Sequence, residues 1–381
     1  MKKEKMLSLF FVALLGGGLV WNLLTPAREY SEAENRYLQT FPVVNADQIF
    51  SGKFSSQFES YTTDQFPARD SWVALKTMTQ LGLGRPDNGR VYFGKKDRLF
   101  ALPDPADVDW EQRNCRAVAA FLAKARENRP ELRTSVMLVP TAATILPEDL
   151  PALAPVADEA ALLRRMKEAL GESAVFCDPT AALLAVEDRE SLYFRTDHHW
   201  TGRGAYAAYA AWAKATGLQP QPLTNFRETT VADDFTGTLF SKANLPWIKP
   251  DPLTAWEPAD LAACSFSVDG GKTFADGLYD PQALLGRDKY TYFLGGNHPL
   301  TVVRTGTENG RRLLVVKDSY AHSFAPFLTA HYETIYLLDP RYFKENIQTW
   351  MGKENITDIL VLYNAATFSA DRQLAAVLQP R

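Results

Sequence analysis

The sequence predicts an α/β fold built around a parallel sheet. Four apolar segments have the length and β-branched content of buried strands, at 134–139, 313–316, 334–338 and 358–363. Segments with helical periodicity alternate with these strands along the chain. Strands that alternate with helices form βαβ units, and consecutive strands of such units run parallel.

Composition narrows the possible classes of protein. The chain has 381 residues, of which 46% are hydrophobic, so it can form one large domain or two ordinary ones with a substantial core. A net charge of -4 gives no electrostatic basis for binding nucleic acid. The three cysteines, Cys115, Cys177 and Cys264, have no metal-like spacing and permit at most one disulfide, so this is not a disulfide scaffold.

The N-terminus predicts a membrane segment over residues 1–24. Three lysines in the first five residues precede an uncharged apolar stretch, Leu7–Leu24, which is just long enough to cross a bilayer. The positive flank is expected to stay inside, which places the rest of the chain outside the cytoplasm. Residues 25–27 are a poor cleavage site, so an uncleaved anchor is favoured over a cleaved signal peptide and a secreted protein.

The remaining chain is expected to form a lead-in and one α/β domain. Residues 25–100 read as a stalk and lead-in packing on the core, with a β-hairpin formed by Val91–Phe93 and Leu99–Phe100. Residues 101–381 form the domain, with a loop-rich insertion at about 218–310 that includes a short strand at 290–294. Helices are predicted at 110–128, 160–170, 203–216 and 342–351.

Two short motifs together indicate serine-based acyl chemistry. Asp197 stands two residues before His199, and Ser319 follows the strand at 313–316 on a strand-to-helix turn. In a serine nucleophile system the imidazole takes the serine proton, while the carboxylate orients the ring and stabilises its charged form. These residues are therefore candidates for a nucleophile, a base and an orienting carboxylate.

The adjacent histidines cannot share one role if their segment is extended. Successive side chains of a strand point to opposite faces, so Asp197 and His199 should lie on one side and His198 on the other. His198 then supports the site or makes a structural hydrogen bond. A metallohydrolase using all three residues is disfavoured because the rings would diverge and no paired ligand spacing is present. No metal and no cofactor are expected.

Polar residues follow three of the predicted strands, where sites of open α/β sheets gather. Asp318 and Ser319 follow the strand at 313–316. Asp339 and Arg341 follow the strand at 334–338, and Asn364 follows the strand at 358–363. The Ser319 backbone N–H and the Asn364 side chain could both face a developing oxyanion. The alternative for Asn364 is a turn cap.

The motifs carry a family resemblance over nearly the whole chain beyond the membrane segment. The runs Thr196-Asp197-His198-His199-Trp200 and Lys317-Asp318-Ser319-Tyr320-Ala321 resemble the DHHW family, which is similar to the alginate O-acetylation proteins of the SGNH hydrolase-like superfamily. Further matching residues are Ser31-Glu32, Glu34-Asn35-Arg36, Asp64-Gln65-Phe66-Pro67, Arg69, Tyr92-Phe93-Gly94, Gly295-Gly296-Asn297, Asp339 and Arg341-Tyr342.

The resemblance implies a flavodoxin-like three-layer α/β/α domain with a Ser-His-Asp triad. Ser319 would be the nucleophile, His199 the base and Asp197 the orienting residue, with Tyr320 among the supporting residues. The chain departs from the usual pattern of that superfamily, because no glycine follows the strand at 334–338 to supply an oxyanion N–H. Arg341 or a backbone N–H near Ser319 would take that place.

The activity implied is extracytoplasmic O-acetyl transfer to a cell-surface or exported polysaccharide, or O-acetyl removal from one. Both reactions pass through an acyl-serine and differ in whether a sugar hydroxyl or water resolves it. With one candidate span, a transferase would need a separate multi-span partner to deliver acyl groups. The alternative is a non-catalytic polysaccharide-binding or assembly protein, with aromatic residues of the insertion stacking on sugars: Trp247, Trp256, Tyr279, Tyr290 and Tyr292.

Overall fold

The computed structural model describes residues 2–31, 33–34, 36–105 and 107–379. The chain divides into two compact units. One comprises residues 1–88 and 241–247, and the other comprises residues 89–240 and 248–381.

The first unit is mainly helical. Its elements are α1 (Lys2–Leu24), β1 (Tyr30–Ser31), β2 (Arg36–Tyr37), α2 (Ala46–Phe50), α3 (Lys53–Asp64) and α4 (Arg69–Gly82). Within α1, Lys3–Leu24 is long and apolar enough to cross a membrane, and the residues of that segment are exposed. An apolar helix at this position fits a membrane anchor or a signal sequence, as the sequence predicts.

A cluster of ion pairs explains several of the N-terminal motif residues. Arg36 binds the buried Asp64 and Glu34, and Arg69 donates from Nε to Glu34 Oε1 at 2.7 Å. The two arginines hold the pKa of Glu34 below its ordinary value, although burial by itself would raise it. These residues therefore tie β2 to the helices around them. Glu32 and Asn35 of the same motif lie outside the described residues.

The second unit contains the α/β domain. Its strands are β3 (Val91–Phe93), β4 (Leu99–Ala101), β5 (Arg133–Val139), β6 (Val175–Cys177), β7 (Phe226–Phe235), β8 (Asp251–Pro258), β9 (Ser265–Ser267), β10 (Ala275–Asp276), β11 (Leu300–Arg304), β12 (Arg312–Lys317), β13 (Thr334–Leu338) and β14 (Asp358–Asn364). The further helices are α5 (Val108–Asn128), α6 (Ala142–Ile145), α7 (Glu159–Leu170), α8 (Thr180–Leu184), α9 (Gly202–Ala215), α10 (Thr238–Ala243, whose residues 241–243 belong to the first unit), α11 (Ala321–Phe324), α12 (Ile347–Lys353), α13 (Ala365–Ala370) and α14 (Leu374–Leu378).

Eight strands among the described residues form one sheet in the order β10-β9-β11-β13-β12-β14-β5-β6. The five strands from β13 to β6 pair in parallel, whereas β11, β9 and β10 extend the sheet with antiparallel pairing. The chain leaves β12 for β13 on one side and later returns to β14 on the other. The strand order thus reverses at the carboxyl end of β12, which is where open α/β sheets form their crevice.

The sheet has a buried face on each side, which makes the domain three-layered. Along β12, Leu313 and Val315 join one hydrophobic cluster, and Leu314 and Val316 join the other. This alternation follows from the two-residue period of a strand. Aromatic residues of α9 and of the segment after Ser319 cover the first face, while α5, α7, α12, α13 and α14 cover the second.

The structure confirms the predicted buried strands, the 91–101 hairpin and most of the helices, and it corrects three expectations. Residues 289–292 form a 3₁₀ helix where the sequence analysis expected a strand, because the tyrosines there are buried on different neighbours and do not pair with a strand. The helix expected at 342–351 begins only at Ile347, where Asn346 caps it. The region expected to be a loop-rich insertion is in part an extension of the sheet, since its strands β9, β10 and β11 add to the parallel centre by antiparallel pairing.

Candidate active site

Ser319 lies on a tight turn between β12 and α11, at the point where the strand order reverses. The carboxyl ends of three neighbouring strands meet here, because Val316 is in register with Leu338 of β13 and with Val361 of β14. The Asp318 carboxylate shapes the turn by accepting hydrogen bonds from the Tyr320 N–H at 2.9 Å and from the Asn364 N–H at 2.8 Å. The sheet therefore presents the Ser319 hydroxyl at its carboxyl edge.

His199 connects Ser319 to Asp197 through its two ring nitrogens. His199 Nε2 is 2.7 Å from Ser319 Oγ, and His199 Nδ1 is 2.5 Å from Asp197 Oδ2. His199 and Asp197 are both buried. The hydrogen-bond order predicted from the sequence is therefore present, with the hydroxyl, the imidazole and the carboxylate in a row.

Burial and nearby charges determine the protonation states of His199 and Asp197. Burial lowers the pKa of His199 to about 4, with the charge of His198 acting in the same direction and Asp197 opposing it. The pKa of Asp197 would rise through burial, but the charges of the two histidines and the hydrogen bond with His199 hold it well below its ordinary value. At neutral pH the site thus contains an ionised Asp197 and a neutral His199, which is the form a general base requires.

The two histidines do not diverge, so the sequence-based argument from strand geometry was wrong. Their ring centroids are 3.8 Å apart, and His198 Nδ1 lies 3.4 Å from Asp197 Oδ1. The reason is that residues 195–199 bend and do not form an extended strand, so side chains do not alternate between two faces. Both imidazoles consequently lie near the Asp197 carboxylate, but only His199 makes a hydrogen bond with it.

Tyr320 and Trp200 fasten the two motifs to each other. The Tyr320 hydroxyl donates a short hydrogen bond to the His198 carbonyl, and the Trp200 indole N–H donates to the Tyr320 carbonyl at 3.0 Å. Both side chains are almost completely buried. Tyr320 therefore supports the site by fixing the histidine segment against the serine turn.

Asn364 does not offer its amide to Ser319, which corrects its assignment as an oxyanion donor. Its Oδ1 accepts hydrogen bonds from Ala366 N–H and Thr367 N–H, and its Nδ2 donates to the Val139 carbonyl at 3.2 Å. The side chain is thus the N-cap of α13 and a tie to β5. The physical reason is that α13 starts immediately after β14, so its free N–H groups take the nearest acceptor.

A buried polar cluster lies beside Ser319 and holds Arg341. Arg341 forms two hydrogen bonds with the buried Asp339, from Nε to Oδ1 at 2.8 Å and from Nη2 to Oδ2 at 2.6 Å. Asn297 Oδ1 accepts from Arg341 Nη2 and from Lys317 Nζ, both at 3.3 Å. Lys317 Nζ also donates to His322 Nε2 at 2.7 Å. Burial lowers the pKa of Lys317 to about 8 against the opposing charge of Asp339.

Two groups in this region can stabilise a developing negative charge. The Ser319 backbone N–H makes no hydrogen bond with any residue that the structure describes. The positive charge of Arg341 acts on His199, where it lowers the pKa, and on Asp318. Both observations fit the sequence-based expectation that Arg341 or a backbone N–H near Ser319 replaces the missing glycine N–H.

Asp197, His198 and His199 also bring metal-type donor atoms within 4.8 Å of one another. Hydrogen bonds account for this convergence. Asp197 Oδ1 accepts from the N–H and the hydroxyl of Thr238, both at 2.8 Å, and Asp197 Oδ2 accepts from His199. A metal ion would have to displace these donors, so the residues present fit an ionised, hydrogen-bonded carboxylate better than a metal ligand.

Three residues of the site were not identified from the sequence as parts of it. Thr238 holds Asp197, and Gly237 packs so closely that a β-carbon there would lie 2.2 Å from Asp197 Cβ. Tyr290 stacks on His199 with ring centroids 3.8 Å apart and an interplanar angle of 10°. All three lie in the loop-rich region, where no periodic pattern relates them to the site.

The aromatic residues proposed as a sugar platform are mostly buried. Trp256, Tyr279 and Tyr292 belong to the hydrophobic core, and Tyr290 covers His199. Trp247 is 50% exposed, but it lies in the other structural unit. The Tyr290 ring thus stacks on the His199 imidazole, and that face of the ring is not open for stacking on a sugar.

Comparison with known proteins finds relatives of this chain. The family model described as DHHW protein matches residues 135–338. A probable alginate O-acetylase, AlgJ, from Pseudomonas syringae pv. tomato is 25% identical over 198 residues. That match covers 49% of this chain and spans half the length of the relative.

Solved structures show the same fold. A DHHW family protein from Eubacterium siraeum has a TM-score of 0.61 at 22% identity, covering 76% of this chain and 97% of that one. PatB1 of Bacillus cereus has a TM-score of 0.62 at 18% identity, covering 75% of this chain and 98% of that one. These two structures therefore share the α/β fold of this chain.

Proposed function

The chain belongs to the DHHW family, and we propose that it is an extracytoplasmic carbohydrate O-acetyltransferase or O-acetylesterase. The observation that carries this proposal is the placement of His199, whose ring nitrogens contact Ser319 and Asp197 at 2.7 and 2.5 Å. A buried, neutral imidazole between a hydroxyl and an ionised carboxylate is suited to activating that hydroxyl.

In the first half-reaction, Ser319 Oγ attacks the carbonyl carbon of an acetyl ester while its proton passes to His199 Nε2. The resulting imidazolium is stabilised by Asp197. The oxyanion is stabilised by the Ser319 N–H and by the guanidinium of Arg341. His199 then returns the proton to the departing alkoxide, which leaves as an alcohol, and Ser319 carries the acetyl group.

In the second half-reaction, a hydroxyl group attacks the acetyl-serine and gives its proton to His199 Nε2. The bond between Ser319 Oγ and the acetyl carbon breaks, and the proton returns to Ser319. A sugar hydroxyl makes the reaction a transfer, and water makes it a hydrolysis. The same residues serve both outcomes.

The relatives and the N-terminal helix support the proposed substrate class. The AlgJ relative is described as a probable alginate O-acetylase, although the match covers only half of it, and we extend only the broader class, an exported or cell-surface polysaccharide, to this chain. The helix Lys3–Leu24 would anchor the protein with the domain outside the cytoplasm, or act as a signal sequence. A transferase with one span would receive its acyl groups from a multi-span membrane partner.

A test of the proposal is to trap the acetyl-enzyme. Full-length protein in detergent is mixed with p-nitrophenyl acetate, quenched in acid, digested and examined by mass spectrometry. The expected result is an acetyl group on the peptide containing Ser319 and none in Ser319→Ala. The matched control is Ser191→Ala, which removes a serine hydroxyl bonded to the Asp188 carbonyl and should leave acetylation intact.

Absence of acetyl-Ser319 from the folded wild-type protein would contradict the enzymatic proposal. The protein would then be a polysaccharide-binding or assembly factor that keeps the fold.

A further inference from the structure

His198 is held in one tautomer by its contacts. The Thr238 hydroxyl donates its only hydrogen to Asp197 Oδ1 at 2.8 Å, so its oxygen must accept from His198 Nδ1, which lies 2.7 Å away. The Nδ1 of neutral His198 therefore carries the proton. Its Nε2 then carries a lone pair and can accept a hydrogen bond.

This Nε2 is free for a ligand. It makes no hydrogen bond with any described residue, and the His198 side chain is 36% exposed, whereas that of His199 is 6% exposed. His199 is enclosed on its two faces, since Tyr290 and His198 each lie 3.8 Å from it, centroid to centroid, and no ring contact joins Tyr290 to His198. His198 is thus the outer of the two imidazoles.

His198 is not needed to hold Asp197. Asp197 Oδ1 already accepts two hydrogen bonds of 2.8 Å from Thr238, compared with a distance of 3.4 Å to His198 Nδ1. A purely structural role would not require a ring with an exposed, unused acceptor beside the base.

We propose that His198 binds the acyl acceptor: its Nε2 accepts a hydrogen bond from a hydroxyl next to the one that attacks the acetyl-serine. The inference rests on the proposed function and deepens it, because it names the acceptor as a saccharide with two neighbouring hydroxyls. The attacking hydroxyl gives its proton to His199 Nε2, while the second keeps its proton and donates to His198 Nε2. This second contact orients the acceptor without taking part in bond making.

The test compares two acceptors that differ by one hydroxyl. Full-length protein in detergent receives p-nitrophenyl acetate as the acyl donor, with either trans-1,2-cyclohexanediol or cyclohexanol. The acetate esters formed are quantified by gas chromatography, and the acetylation rate of Ser319 is followed in parallel. The measured quantity is the ratio of the diol transfer rate to the cyclohexanol transfer rate, in which effects on the acyl-enzyme itself cancel.

Wild-type protein should prefer the diol, and His198→Ala should reduce the ratio by about three- to tenfold, the usual effect of losing one hydrogen bond. His198→Gln should recover part of the ratio, because its amide oxygen can accept at the position of Nε2. If His198→Ala does not fold, His198→Gln still tests the inference through the same ratio.

An unchanged ratio in His198→Ala and His198→Gln, with acetyl-Ser319 still forming, would overturn the inference and leave the proposed function in place. Equal losses with both acceptors would also overturn it, since they would mark a structural role. Failure of the wild-type protein to form acetyl-Ser319 would overturn both.

Discussion

The enzymatic rate should decline with falling pH only at a pH far below the one expected for a base with the pKa of an ordinary histidine. Burial lowers the pKa of His199 to about 4, from an ordinary value near 6.5. The base is active when neutral, so activity is lost only as the pH falls through the lowered pKa. At pH 5.5 almost all of the His199 would be neutral, compared with about one tenth of an ordinary histidine, which is a difference of roughly tenfold in rate.

The Tyr290→Ala substitution tests whether burial of the His199 ring is what lowers its pKa. Tyr290 covers one face of His199, so its removal admits water to the ring and should move the acid limb upward toward pH 6.5. The variant's rate at pH 5.5, relative to its own plateau, should fall by up to about tenfold. The matched control is Tyr292→Ala in the same 3₁₀ helix, because Tyr292 stacks on Tyr279 and does not touch His199.

The assay is the rate of p-nitrophenol release from p-nitrophenyl acetate between pH 4 and pH 8, with the Ser319→Ala rate subtracted as background. A wild-type acid limb near pH 6.5 would refute the reasoning from burial. If the Tyr290→Ala variant has the same acid limb in its pH–rate profile as the wild-type protein, Tyr290 is not the residue that shields His199 from water.

Three further substitutions test other parts of the site. Asn364→Ala should lower the free energy of unfolding by about 1 kcal/mol in a denaturant titration through loss of the α13 cap, and a 100-fold loss of rate with normal stability would instead restore its oxyanion role. Gly237→Ala should abolish acetylation of Ser319 while the protein remains folded by circular dichroism, because the new β-carbon displaces Asp197; full activity would contradict that packing. Arg341→Gln should slow Ser319 acetylation by about 10²–10³ and also lower the melting temperature, because the buried Asp339 loses its charged partner; an unchanged rate in the folded variant would remove Arg341 from the oxyanion site.

Much of the fold follows from local patterns in the sequence. The strands β5, β12, β13 and β14 are continuous apolar runs because both faces of a central parallel sheet are buried. The contact between His199 and Ser319, 120 residues apart, was expected because sites form at the carboxyl ends of such strands. The antiparallel strands β9, β10 and β11 were missed or unplaced, since they are short and lie among loops.

The errors at the site have a common physical origin. An asparagine at position 364 could serve as a helix cap or as an oxyanion donor. It is a cap because α13 begins at the next residue, Ala365. The prediction that His198 and His199 diverge applied a rule for extended strands to a segment that bends. Tyr290 is related to His199 by tertiary packing alone, which no sequence period reports.

The central claim is that Ser319 carries the acetyl group on its way to or from a polysaccharide. It is tested most directly in cells by measuring the O-acetyl content of the extracellular and surface polysaccharides. A deletion strain is compared with strains that express wild-type protein, Ser319→Ala, or the combined Ser319→Ala, His199→Ala, Asp197→Ala protein, at matched levels. We predict that Ser319→Ala reproduces the deletion and that the triple variant is scarcely worse, because the three residues act as one unit. Wild-type acetylation in the Ser319→Ala strain would contradict the account.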